Sequence, residues 1–260
     1  MNLFYNRCPI SSIDDALGLY KQSEFASPTR STVPLVSLLK HGEDFWNRIA
    51  KSLGTVEDSD ELHLEYELKP PKGQGTASHT DIMLIQRNRM VAVECKWTEP
   101  PYEKVAHWLT QGDSPENRRE VMGGWLSLLQ SHAHKELQID QFGSAVYQTV
   151  HRAASACATG RKPTLAYIQF CPLPNGAEVC STLRYDLEYL YTLLGTPDKF
   201  PVWLVEVVVK TTDGFEQIRN LAKGVPATSQ AVRKALCDGP LFEFEDFKLH
   251  RIVGDRSRCP

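Results

Sequence analysis

Two apolar runs, Asp81 to Ile85 and Met90 to Glu94, are separated only by Gln-Arg-Asn-Arg. Runs this short and this close, bounded by polar residues, predict a β-hairpin. On the second arm, period two puts Glu94 and Lys96 on one face and Val91, Val93 and Cys95 on the other. A two-residue loop at Arg87 and Asn88 sets Asp81 opposite Glu94, whereas a loop at Asn88 and Arg89 sets it opposite Lys96. Either even loop keeps Asp81 on the face of Glu94 and Lys96, and a three-residue loop reverses it. The apolar residues favour an even loop, because Ile82 and Leu84 then join Val91 and Val93. Two carboxylates facing each other across a sheet repel, an arrangement that makes sense if a cation sits between them. Oxygen ligands of this kind suit a hard ion, Mg²⁺ above all.

The elements around the hairpin follow from hydrophobic period. Residues from Pro34 to Leu53 repeat at helical spacing and predict one amphipathic helix of about five turns. The acidic stretch Val56 to Glu61 reads as a solvated turn. Leu62, Leu64, Tyr66 and Leu68 then alternate with His63, Glu65, Glu67 and Lys69, a strand with one wet face. Helices are expected around Val121 to Leu129 and from Phe142 to Cys157, a strand at Leu165 to Phe170, a helix at Leu183 to Leu194 closed by Gly195, and a central strand at Val202 to Val209. A short helix after Gly214, another at Ser229 to Leu236 and a strand from Phe242 to Arg251 complete the chain. This order predicts an α/β fold, a mixed β-sheet flanked by α-helices. Residues 1–31 read as an irregular N-terminal arm with one short helix after Ser12, and 32–260 as a single domain with a C-terminal elaboration from about 171.

Composition narrows the function classes. Hydrophobic residues at 42% and charged residues at 23% exclude a disordered or fibrous chain. With 29 basic against 32 acidic residues the net charge is -3, so any nucleic-acid partner must be held by a local patch. The seven cysteines show no zinc-site spacing, and reduced thiols are expected, including Cys171 and Cys180 on either side of a Pro-Leu-Pro-Asn-Gly turn. No stretch has the length and apolarity of a membrane span or the pattern of a signal peptide, which predicts a cytoplasmic protein with no membrane partner. Walker loops, dinucleotide fingerprints and Gly-x-Ser-x-Gly elbows are absent.

Asp81 followed by Glu94-Cys95-Lys96, with a helix and a strand before and a helix and a strand after, resembles the PD-(D/E)xK superfamily of restriction-endonuclease-like nucleases. The resemblance covers roughly residues 34 to 170. It implies Mg²⁺-dependent hydrolysis of phosphodiester bonds, with Mn²⁺ able to substitute, in DNA above all and in the setting of prokaryotic defence or DNA processing. Carried over, Asp81 and Glu94 bind metal, the backbone carbonyl of Cys95 completes the coordination, and Lys96 orients the attacking water and stabilises developing charge. Thr80 stands where the motif's name has proline. Glu43, Glu65 and Glu67 compete for the role of an additional acid, His79 is placed to contact phosphate, and Gln148 and His151 resemble polar residues aimed at the site from the helix after the motif. Lys69, Lys72, Arg87, Arg89, Arg118, Arg119, Arg152, Arg161 and Lys162 are candidates to line a DNA path, with Arg251, Arg256 and Arg258 adding to it. The alternative is a catalytically inactive member of the same fold that binds nucleic acid or protein. Nucleases of this type often dimerise, so a homodimer is a further expectation.

Overall fold

The computed structural model describes residues 1–260 apart from 55–56, 58–59, 101, 113, 173–178, 196 and 254–260, and for 179–181 the backbone alone. The predicted turn at 56–61, the Cys171–Cys180 turn, Arg256 and Arg258 therefore fall wholly or partly outside the described residues.

The chain runs β1 (Asn2–Tyr5), β2 (Cys8–Pro9), α1 (Ile13–Leu19), α2 (Thr32–His41), α3 (Glu43–Leu53), β3 (Glu61–Leu68), β4 (Ser78–Ile85), β5 (Arg89–Lys96), α4 (Val105–Thr110), α5 (Pro115–Gln130), α6 (Tyr147–Ala156), β6 (Lys162–Pro172), α7 (Val179–Leu193), β7 (Val202–Thr211), α8 (Asp213–Ile218), α9 (Pro226–Asp238) and β8 (Phe242–Arg251). The strands form one sheet in the order β2-β1-β3-β4-β5-β6-β7-β8. β5, β6 and β7 are mutually parallel, and β4 and β8 flank them antiparallel. The sheet is thus mixed, with helices on both faces. One face packs a core from α1, α2, α3, α8 and α9, with Leu35, Trp46 and Ile49 against Val93, Ile168 and Val207. The other packs α4 to α7, with Trp125, Phe142 and Val150 against Ala92, Tyr167 and Leu204. A parallel strand covered on both sides must be apolar throughout, which is why β6 is buried from Pro163 to Cys171.

The hairpin closes with a two-residue loop, the Gln86 N–H donating to the Arg89 carbonyl at 3.0 Å. Its register pairs Ile82 with Val93 and Leu84 with Val91. Of the two even-loop registers, this is the one that puts Asp81 opposite Glu94.

Four expectations need correction. The stretch from Pro34 to Leu53 is two helices rather than one, because Gly42, at φ -123° and ψ 39°, ends α2 and starts α3. Period two also fails on β3: His63 is buried, stacked on Phe4 of β1 with ring centroids 4.4 Å apart. At Glu65 the backbone takes a left-handed φ of 50°, and the strand exchanges faces there, so that Leu64 joins the first core and Tyr66 the second. The helix expected from Phe142 is a 3₁₀ turn at Ile139–Phe142 followed by α6, and the short α4 has no counterpart in the sequence reading. Lastly, residues 1–31 are built into the fold. β1 lies parallel to β3, Asn6 and Arg7 turn the chain into β2 with positive φ, and Ser12 caps α1 through a capping box with Asp15. Ala16 and Phe25 are fully buried. Among the described residues no helix is long and apolar enough to cross a membrane.

Candidate active site

The β4–β5 ladder ends at Ile82 and Val93, one step short of Asp81 and Glu94. Beyond that point the Asp81 carboxylate accepts the Cys95 N–H at 2.6 Å. The N–H and C=O of one strand residue leave on the same side, so the Cys95 carbonyl is directed toward the same opening. The opening is a cleft of about 180 Å³ at the C-terminal end of β5. Asp81, Glu94 and Lys96 line it together with Glu65 from the irregular point of β3 and Gln148 and Arg152 from α6.

Glu94 is 3% exposed and fully engaged. Its Oε1 accepts from Lys96 Nζ and from Gln148 Nε2, each at 2.8 Å, and its Oε2 accepts from Arg152 Nε. Burial alone would raise its pKa, but Arg152 and then Lys96 outweigh burial and hold the carboxyl below its ordinary value. Burial likewise opposes the charge on Lys96, yet Glu94, with Tyr102 and Asp81, keeps the ammonium above its ordinary value. The Lys96 Nζ also lies over the Tyr102 ring, 4.3 Å from its centroid, so it is held between a carboxylate and an aromatic face.

In the other two acids burial and like charges outweigh the neighbouring cations. Burial, followed by repulsion from Glu94, pushes Asp81 up to about 8. Burial, followed by Asp81, pushes Glu65 up to about 9. Asp81 accepts a hydrogen bond at one oxygen only, and among the described residues none reaches the Glu65 carboxylate. Lys96 and Arg152 partly offset the rise at Asp81 and Arg152 that at Glu65, but neither acid is ion-paired among the described residues; beside a backbone carbonyl, the two have the donor chemistry of a site for a hard, oxygen-seeking ion. The donors are of the type that hard cations take, but as they stand no three His, Cys, Asp or Glu among the described residues are gathered into an ion site.

The other candidates divide by position. His79 lines the cleft, its pKa lowered by burial and then by Lys21. His151 lies just beyond, its Nδ1 2.9 Å from Ser78 Oγ, and burial followed by Arg152 lowers its pKa strongly. Glu67 points away, accepting from Asn6 Nδ2 at 3.1 Å. Glu43 is exposed at the start of α3 and does not line the cleft. Arg152 is no surface contact for DNA: it is 7% exposed and its Nη1 donates to Ser78 Oγ at 2.6 Å while Nε holds Glu94. A guanidinium buried this deeply is fixed by the carboxylate it neutralises. Arg87 and Arg89 sit at the hairpin turn, at the far end of β5 from Glu94, and Arg89 donates to the Leu53 carbonyl at the end of α3. Arg119 pairs with Asp140 at 3.3 Å, and Lys69, Lys72 and Lys162 are exposed.

The sequence reading missed one wall of the cleft altogether. Lys21, Glu24 and Arg30 line it from the N-terminal segment, with Glu24 and Arg30 paired at 2.9 Å, and Glu99 and Tyr102 line it from the loop after β5. Glu99 also accepts the backbone N–H groups of Ser31 and Trp97, which ties the two walls together.

The model of a protein family described as a domain of unknown function, DUF6946, matches residues 9–196. The chain belongs to this DUF6946 family. The matched span holds every residue that lines the cleft, from Lys21 to Arg152, so the site belongs to the DUF6946 part of the chain. Searches of curated proteins and of solved structures find no match.

Proposed function

We propose that this chain is a divalent-metal-dependent nuclease of restriction-endonuclease-like architecture that hydrolyses phosphodiester bonds in DNA, acts in the cytoplasm, and uses Mg²⁺ or, in its place, Mn²⁺. The observation that carries the reading is the convergence of Asp81, Glu94, Lys96 and Glu65 in one cleft where β4 leaves β5, with Gln148 reaching Glu94 from α6. Carboxylates beside a fixed ammonium are the residue types that metal-assisted phosphodiester hydrolysis uses, the acids as oxygen ligands and the ammonium as a stabiliser of developing charge.

Asp81, Glu65 and the Cys95 carbonyl would hold the ion, with Glu94 beside them. When bound, it polarises a phosphoryl oxygen and lowers the pKa of a bound water. Lys96 has the chain's own chemical part. Held charged between Glu94 and Tyr102, its ammonium can hydrogen-bond the attacking water and stabilise negative charge developing on the phosphoryl oxygens. Gln148 and Arg152 fix the Glu94 carboxylate, which in turn fixes Lys96. His79 at the mouth offers a donor to an incoming phosphate.

A second reading, an inactive fold that binds nucleic acid or protein, draws on one specific observation: both Glu94 oxygens are already satisfied by Lys96, Gln148 and Arg152, a buried ion network that is complete in itself. Incubation of purified protein with linear, circular and single-stranded DNA, with and without Mg²⁺ or Mn²⁺, separates the two. Divalent-dependent cleavage lost in Asp81→Asn supports the nuclease. Tight DNA binding with no cleavage in either metal supports the binding module.

A further inference from the structure

A second cavity of about 500 Å³ opens beside the carboxylate cleft, well within the size range of small-ligand sites. Between them lies a recess of about 230 Å³ that shares His79, Tyr102, Gln148 and Arg152 with the cleft and Ser78, Tyr147 and His151 with the second cavity. The contrast in charge is sharp. Glu24, Glu65, Asp81, Glu94 and Glu99 line the cleft, whereas no acid lines the second cavity among the described residues.

Its walls are aromatic. Trp108 and Tyr147 stack with centroids 3.8 Å apart, Trp125 lies behind them, and the Arg118 guanidinium covers the Trp108 ring at 4.8 Å. Hydrogen-bond donors remain on this aromatic wall. The Tyr147 oxygen accepts from Trp125 Nε1 at 3.1 Å, which leaves its own proton to donate. At His151 the Nδ1 faces the Arg152 Nη1 and the Ser78 hydroxyl, both able to donate, so in the neutral ring the proton sits on Nε2. Arg118 uses Nη1 for the Trp108 carbonyl and keeps its other N–H groups. The opposite wall is loop 70–77, fixed to α5 where Asn117 bonds both the N–H and the carbonyl of Gln74, each at 2.6 Å. The Arg118 guanidinium plane laid on the Trp108–Tyr147 stack, several donors, no acid among the described residues and a preformed rim describe a receptor for a flat, uncharged, acceptor-rich ring.

We propose that this cavity is a nucleobase site, which takes one unpaired or extruded base of the strand whose phosphate lies in the carboxylate cleft. The assignment deepens the nuclease reading by naming a substrate feature, a base free to leave the stack, and it rests on that reading for the phosphate in the cleft. Base occupancy itself needs neither metal nor cleavage, so it can be measured apart from them.

The test is tryptophan fluorescence, since Trp108 and Trp125 line the site. The four nucleoside 5′-monophosphates, and a short duplex carrying one unpaired nucleotide beside its fully paired control, are titrated in EDTA into full-length wild type, Asp81→Asn, Arg118→Gln and Thr76→Tyr. Thr76 is exposed on the rim, so Thr76→Tyr fills the cavity without disturbing the core. The expected result is saturable quenching in wild type and Asp81→Asn by at least one of the two probe types, roughly tenfold or more weaker in Arg118→Gln and Thr76→Tyr, with the unpaired duplex bound more tightly than the paired one. No saturable quenching by either probe, or quenching that both substitutions leave unchanged, overturns the proposal. Cleavage of DNA without base-dependent quenching refutes the nucleobase site and leaves the nuclease standing; quenching without cleavage does the reverse.

Discussion

Glu94 and Arg152 give the most quantitative test of how the site is held. Glu94 accepts from three side chains in a buried setting, and Arg152 spans from it to Ser78. Removing one partner of a buried ion pair leaves the other charge unmet, at a cost of about 3–5 kcal/mol. Glu94→Gln is the more severe change, because it leaves Lys96 and Arg152 without the carboxylate that both neutralise. Arg152→Met is milder, because Lys96 and Gln148 still reach Glu94. For a chain of 260 residues an unfolding entropy of roughly 0.55 kcal/mol/K converts these costs into a Tm loss of about 5–9 °C for Glu94→Gln and somewhat less for Arg152→Met. The double variant removes both charges of the pair, so it should be more stable than the sum of the single losses predicts, by a coupling of about 2–3 kcal/mol. Urea melts of the four proteins in EDTA supply the cycle. Losses that add to within about 0.5 kcal/mol would show that the two charges do not depend on each other, and the argument for a fixed Glu94 would fall.

Further outcomes follow from the same residues. Asp81 and Glu65 have raised pKa values in the folded protein, so their contribution to metal-free stability is full below about pH 4 and is lost as pH rises through about 8 to 9, against the opposite trend of Glu94, His79 and His151; denaturant melts across that range should show wild type losing stability relative to Asp81→Asn as pH rises. At pH 7 the same two acids retain protons, so Mg²⁺ binding should release them, and calorimetry in two buffers of different ionisation enthalpy should report about one proton or more per ion. A signal independent of buffer would count against Asp81 and Glu65 as ligands. A Cβ at Gly124 of α5 would lie 2.8 Å from the Lys72 backbone nitrogen, so Gly124→Ala should cost about 1–3 kcal/mol in a thermal melt by pushing loop 70–77 outward.

The hairpin was the most legible part of the chain, because two apolar runs flank a short polar stretch and the match of Ile82 and Leu84 with Val91 and Val93 picked the even loop that sets the face of Asp81. The final strand, at Phe242–Arg251, and the parallel strand β7 were equally readable from β-branched and aromatic runs bounded by turn residues. What escaped was set by tertiary contact. β1 has four residues and β2 two, too few for any period to appear, and their place comes from pairing with β3. Glu65 was named as one of three competing acids, but the left-handed backbone step at that residue was not readable from any side-chain pattern. Gln148 was found because it lies on the polar side of a helix. Arg152, on the same helix, looked like a surface cation until Glu94 was seen to claim it. Tyr102, Glu99, Lys21 and Glu24 come from segments without regular period, so their gathering around the cleft is a product of the fold.

The claim that stands or falls first is hydrolysis at this cleft. Single-turnover cleavage of end-labelled DNA at saturating Mg²⁺ should proceed with wild type and stop in EDTA. It should slow by about 100-fold or more in Lys96→Ala, whose backbone and sheet pairing are unchanged, because one fixed donor to the developing charge is gone. Equal rates for wild type and Lys96→Ala, or no cleavage of any DNA form by folded wild type in Mg²⁺ or Mn²⁺, would contradict it.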